Sequence, residues 1–157
     1  MRVCCNVRSF RHSFIVDADI SRVWDLYTDI GHLEIISPPD LQLRLVKSTH
    51  KVLVEGSEVW LSGKLLTQSN WHSRITHLKP YEYVDEILTG RFKIWKHVHK
   101  FRDLEDKTTE VIDEIDFELP YGFLGRCFES YVLRRLERAF AYRKQATQRA
   151  MEKTRLP

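Results

Sequence analysis

Cysteine is scarce: there are three in 157 residues, with Cys4 and Cys5 adjacent near the start and Cys127 far from both. An odd count with neither framework nor CxxC spacing excludes a disulfide scaffold and a zinc clamp, and points to a reducing compartment. Long apolar runs are absent. The opening "MRVCCNVRSFRH" brings in charges before any sustained hydrophobic stretch, so neither a secretory leader nor a transmembrane span is expected, and integral membrane association is not expected either. We therefore expect a cytoplasmic protein. Glycine and proline are few, at 6 and 5, and internal repeats are missing; with 43% hydrophobic and 30% charged residues the chain is neither disordered nor of low complexity. No GxGxxG or GxSxG segment is present, which argues against a dinucleotide fold and a serine nucleophile, and no cofactor is expected. The formal charge of +3 is too small to demand a polyanion, so no nucleic-acid partner is expected.

What is present is patterning. A chain of this length folds most simply as one domain, residues 1–157. "SFRHSFIV" alternates as a strand, with Phe10, His12, Phe14 and Val16 on one side. "DADISRVWDLY" then changes period from two to 3.6, with Asp17 or Asp19 as N-cap, and Asp29 can cap a second short helix, "IGHLEI", before Pro38 and Pro39 stop it. Six strand-like segments follow: "LQLRLVKS", "SEVWLSGKLL", "NWHSRITHL", "EYVDEIL", "RFKIWKHVHKF" and "TEVIDEIDFEL". Their spacing predicts a meandering antiparallel sheet. After "LPYGFLG" an amphipathic helix runs to about residue 151, with Phe128, Val132, Leu136, Ala139 and Phe140 as its apolar stripe. The predicted class is α+β, with a bent sheet wrapped around one long helix.

This order resembles the helix-grip fold of the START-like, or SRPBCC, superfamily, over nearly the whole chain. "ADISRVWDLYTDIGHLEIISPP", "YVDEILTGRFKIWKHVHKF", "IDEIDFELPYGFLG" and "LERAFAYR" resemble, in order, segments of a bacterial ligand-binding SRPBCC subgroup. The chain departs from that pattern at Glu86 and Arg91, where Gln and Pro are usual. The resemblance implies a hydrophobic cavity between sheet and helix for a lipid-like, aromatic or polyketide-like molecule. It also raises a separately encoded enzyme as a possible partner.

The chemistry concentrates on two strands. On "RFKIWKHVHKF", Trp95, His97, His99 and Phe101 share a face, and lysines mark the other. On "TEVIDEIDFEL", Val111, Asp113, Ile115 and Phe117 form the apolar face. The loop "RDLEDKTT" makes these strands a hairpin whose odd positions oppose one another, so Asp113 faces His97 or His99. Three roles stay open for the trio: a hydrogen-bonded patch on a pocket wall, an acid–base or ligand-recognition cluster, or a metal site. No metal is expected. The expected ligand wall is Trp95, His97, His99, Phe101, Asp113, Phe117, Trp71, Phe128 and Val132, with His12 as a further wall residue. His72 is read as exposed, Cys127 as a buried structural thiol, and Tyr142 and Arg143 as structural contacts at the far end of the helix. The expected function is binding of that hydrophobic molecule, and the alternative is a cyclase- or dehydratase-like enzyme using His97, His99 and Asp113 as an acid–base cluster. Arginines crowd the last quarter of the chain, and a third reading is a protein or membrane adaptor acting through Arg134, Arg135 and Arg138.

Overall fold

Alternating side chains and period-two burial put seven segments of this chain into one sheet. The computed structural model describes residues 7–65 and 67–153; Cys4 and Cys5 lie outside them. Strands β1 (Arg8–Val16), β2 (Arg44–Ser48), β3 (Glu58–Lys64), β4 (Gln68–Lys79), β5 (Glu82–Thr89), β6 (Ile94–Leu104) and β7 (Thr108–Glu118) form an open antiparallel sheet of order β1-β7-β6-β5-β4-β3-β2. The β2–β3 and β4–β5 pairings carry register shifts, at Leu45/Lys47, His72/Ser73 and Ile75/His77. Such bulges add twist and bend, and they curl the sheet towards its helix.

Helix α1 (Ile20–Thr28) buries Val23, Leu26 and Tyr27. The second short helix expected after it is a single 3-10 turn, Ile30–His32, although Asp29 caps it as expected, accepting a bond from the Gly31 amide at 2.9 Å. The Ile30 amide bonds to the Lys51 carbonyl at 2.9 Å, which ties this turn to the β2–β3 connection.

Helix α2 (Phe123–Lys153) has 31 residues and is roughly 46 Å long. Its buried line runs Gly125, Glu129, Val132, Leu136, Phe140, Thr147 and Met151, at three-, four- and seven-residue steps. Phe128 lies off that line and is 58% exposed, and Tyr131 is exposed as well, so the stripe expected from hydrophobicity alone is rotated by part of a turn. Glu129 takes the inward place because Arg8 meets it at 2.5 Å. Val132, Leu136, Ala139 and Phe140 pack on Ile115 and Phe117 of β7. A second apolar cluster joins α1, the β2–β3 region and the far half of the sheet. Each fully buried side chain of this size contributes about 1.5–3 kcal/mol.

The start of α2 packs against the turn before it. A Cβ at Gly125 would lie 2.3 Å from the Pro120 carbonyl oxygen and 3.1 Å from Leu119 Cβ. Alanine normally improves a helix by about 1 kcal/mol over glycine. At this position the collision should outweigh that gain. Gly125→Ala is expected to lower stability by roughly 1–3 kcal/mol in urea denaturation, and an unchanged or raised midpoint would contradict this packing.

Candidate functional site

Register brings the polar groups together. His99 on β6 stands opposite Asp113 on β7, Asp113 opposite His12 on β1, and His99 opposite Tyr83 on β5. The next row is Phe10, Ile115, His97 and Asp85. Both rows lie on the concave face, beneath α2.

Asp113 is fully buried, and its Oδ1 atom is the centre of the cluster. His97 Nε2 lies at 2.9 Å in a hydrogen bond, His99 Nδ1 at 3.1 Å but off the line of one, and an Arg143 guanidinium nitrogen at 3.6 Å. Asp113 Oδ2 has no hydrogen-bond partner among the described residues. The two imidazoles lean on each other with centroids 3.7 Å apart, and Tyr83 stacks on His99 at 4.2 Å. Arg143 also lies over Phe140, 4.7 Å from the ring centre.

Electrostatics follow from this packing. Burial acts to raise the Asp113 carboxyl, but the hydrogen bond from His97 and the close approach of both imidazoles outweigh it and hold the group well below the usual carboxylate range. Burial, reinforced by His97, lowers His99 to about 3, against the upward pull of Asp113. Burial raises Asp85, with Ser73 and His97 opposing. The site therefore combines a fixed carboxylate, a guanidinium, a neutral imidazole and a second carboxyl whose ionisation burial disfavours.

A cavity of about 170 Å³ opens beside this cluster. Its walls are largely apolar, from Ile30, Leu33, Leu53, Val59, Leu61 and Ile75 to Trp71, Trp95 and Phe140, and its polar lining includes Ser73, Asp85, His97, His99 and Arg143. Of the residues expected on the wall, Trp71, Trp95, His97 and His99 face the cavity, and Asp113 stands directly behind the histidines. Phe101 is turned into the core against Trp24, Tyr27 and Tyr83, and Phe117 into the core against Phe92. Val132 is buried in the helix–sheet seam, and Phe128 faces solvent. His12 is on the concave face beside Phe140 but outside the cavity lining. His72 is half-buried on the outer face, stacked on Trp60 at 4.2 Å and paired with Glu58, rather than exposed.

Two corrections concern the helix. Cys127 is exposed, because it falls on the solvent side of the rotated stripe. Arg143 is a site residue and not a distant structural contact, since it shares the inward line with Val132, Leu136 and Phe140. Its charge concealed it. Asp85 was also missed, although its place opposite His97 on an alternating strand marks the same face.

The ligand atoms of His97, His99 and Asp113 lie within 4.8 Å of one another, a spacing compatible with a metal ion. The Arg143 cation already sits beside the carboxylate, and its charge opposes a second cation there.

The curved sheet gripping a helix over an apolar, polar-ended cavity defines a helix-grip ligand-binding fold. The chain belongs to the polyketide cyclase / dehydrase and lipid transport family, whose model matches residues 16–141. Among curated protein sequences none matches it significantly. Similar solved structures include a START superfamily protein from Mycobacterium smegmatis, at 10% identity and TM-score 0.72 over 93% of this chain and 98% of that one. A Streptomyces aromatase/cyclase matches at 18% identity and TM-score 0.65, covering 93% and 92%. A Thalictrum norcoclaurine synthase matches at 10% identity and TM-score 0.75, covering 99% and 100%. These likenesses establish the fold. No helix among the described residues is long and apolar enough to cross a membrane.

The shifts predict an acid-sensitive fold. A histidine whose folded pKa lies below its unfolded value of 6.5 stabilises the native state fully above that value, and the contribution is lost as pH falls towards 3. Asp113, also lowered, adds stability that is present above its unfolded value and lost below it; Asp85, raised, acts in the opposite sense. The urea midpoint should therefore fall between pH 7 and 4.5, and His99→Gln should flatten that slope. Parallel slopes for the two proteins would disprove the assignment to His99.

Proposed function

We propose that this protein binds a hydrophobic small molecule, lipid-, aromatic- or polyketide-like, in the cavity between sheet and α2. The observation that carries the reading is the polar cluster at the wall of an otherwise apolar cavity. Apolar lining supplies affinity in proportion to the area it covers, and a few fixed polar groups supply orientation. Arg143 donates to an oxygen on the ligand, His97 and His99 flank it, and Asp85 offers a second hydrogen bond one strand away. Trp71 and Trp95 cover the ligand's apolar body. We place this activity in one cytoplasmic domain, able to work beside a separately encoded enzyme.

One observation favours a second reading. His97 is hydrogen-bonded to a buried carboxylate while its ring faces the cavity, and an aspartate-oriented histidine can move a proton near neutral pH. That is the requirement for a cyclase- or dehydratase-like step on a polyketide-like substrate.

Native mass spectrometry of the protein purified from its own host, followed by extraction of the bound molecule, tests the binding reading. A discrete added mass is expected, and Arg143→Met should weaken binding of the extracted molecule by roughly tenfold to a hundredfold. If the molecule leaves unchanged after incubation and His97→Gln alters only its affinity, the protein is a binder. If the molecule is converted and His97→Gln stops conversion while binding persists, it is an enzyme. A protein that carries no added mass and takes up no apolar probe would refute both.

A further inference from the structure

We propose that the end of the sheet where the cavity opens docks on an anionic lipid surface, through the first turns of α2. The topology puts one set of connections at that end: the β3–β4 turn, the β5–β6 turn, and the β7–α2 turn beside the start of β1. Lys64, Leu65, Arg91 and Phe92, from the first two of these, line the cavity. The third carries the largest group of exposed apolar side chains. Tyr121 is 83% exposed, Phe123 76% and Leu124 68%, with Phe128 and Tyr131 also exposed.

These residues are not displaced core. The inward positions of the same turns are filled by Gly125, packed on Pro120, and by Glu129, paired with Arg8. The connecting turn places Tyr121 and Gly122 in the left-handed region, at φ 70° and 51°, and so directs the chain into the helix with its aromatic residues outward. Exposed apolar clusters of this density mark an interaction surface.

The charge pattern selects the partner. Phe123, Cys127, Tyr131, Arg134 and Arg138 follow one another at three- and four-residue steps along one exposed helix face. An apolar stretch about 12 Å long therefore runs into arginines within the next turn. Lys64 and Arg91 are exposed around it, and the acids Glu118, Glu129 and Asp40 are paired with Lys93, Arg8 and Arg135. Glu137 is the exposed acid on this part of α2. Aromatic rings settle at the boundary between headgroups and acyl chains, and arginines settle on the phosphates above them. A neutral protein surface would satisfy the rings but not the basic collar; an anionic bilayer satisfies both. Docked this way, the mouth faces the acyl layer, so an apolar molecule can pass between membrane and cavity without crossing water.

Co-sedimentation with phosphatidylcholine vesicles, with and without phosphatidylglycerol, tests the proposal independently of any cavity ligand. The protein should bind vesicles containing phosphatidylglycerol, and added salt should weaken that binding. Phe123→Ser with Leu124→Ser should reduce binding by roughly tenfold or more. Arg134→Glu with Arg138→Glu should abolish the preference for phosphatidylglycerol. All four side chains are exposed, so melting temperatures should stay close to wild type, and a variant that melts early is replaced by Phe128→Ser. Failure of the wild-type protein to sediment, or equal binding by the serine variants, overturns the proposal. So does a concentration-dependent dimer that the serine variants dissolve, which would assign the face to a second copy.

Discussion

The carboxylate of Asp113 is a full charge held in the interior, and the neighbouring elements are arranged to compensate it. An isolated buried anion costs several kcal/mol even after relaxation. Here the compensation comes from two directions: a hydrogen bond from His97 within the hairpin, and the Arg143 guanidinium from the helix above. The hairpin alone would leave the charge half-answered. Bringing Arg143 to it requires α2 to cross the sheet at one height and one rotation, which also seats Leu136 and Phe140 and sets the cavity's depth. The site and the helix–sheet seam are therefore one problem with one solution.

That coupling explains which parts could be foreseen. Strands β5, β6 and β7 are legible because period-two alternation is an all-or-none property of a face, and a hairpin forces odd positions to meet odd ones. His97, His99 and Asp113 follow directly. The helix was harder because its inward line includes Glu129 and Arg143, residues that a hydrophobic count assigns to solvent. Once those two are treated as exposed, Phe128 moves inward, Cys127 becomes buried and the stripe rotates. Their partners, Arg8 and Asp113, lie 121 and 30 positions away, and periodicity carries no information about such distant pairs. Phe101 and Phe117 differ for another reason: sharing a face with the histidines places a residue on the concave side, but what covers that side there, Trp24 and Tyr27 of α1 over Phe101 and Phe92 with the α2 stripe over Phe117, cannot be read from alternation.

The chemistry divides by strand. Asp113 is an anion and His99 is neutral because the same burial acts on both, disfavouring charge, while only the carboxylate gathers enough hydrogen bonds and positive neighbours to resist it. Asp85, one strand further out, lacks that help and is pushed towards its neutral form. A wall only three strands wide thus presents a carboxylate acceptor, two imidazoles and a second carboxyl in sequence. A binder can use such a gradient to orient a ligand end for end, and an enzyme can use it to pass a proton; the difference lies in what the ligand offers.

The long helix has a further consequence, for the lengths its relatives can tolerate. Gly125, Val132, Leu136, Phe140, Arg143 and Thr147 each meet a fixed partner, and one inserted residue turns everything beyond it by about 100°. Between Gly125 and Thr147 an insertion or deletion would withdraw the guanidinium from Asp113 and the threonine from the Tyr27 hydroxyl it meets at 3.0 Å. The helix therefore tolerates a change of length before its first turn or beyond Met151 and not between them, so its ends can be altered while the interior stays in register.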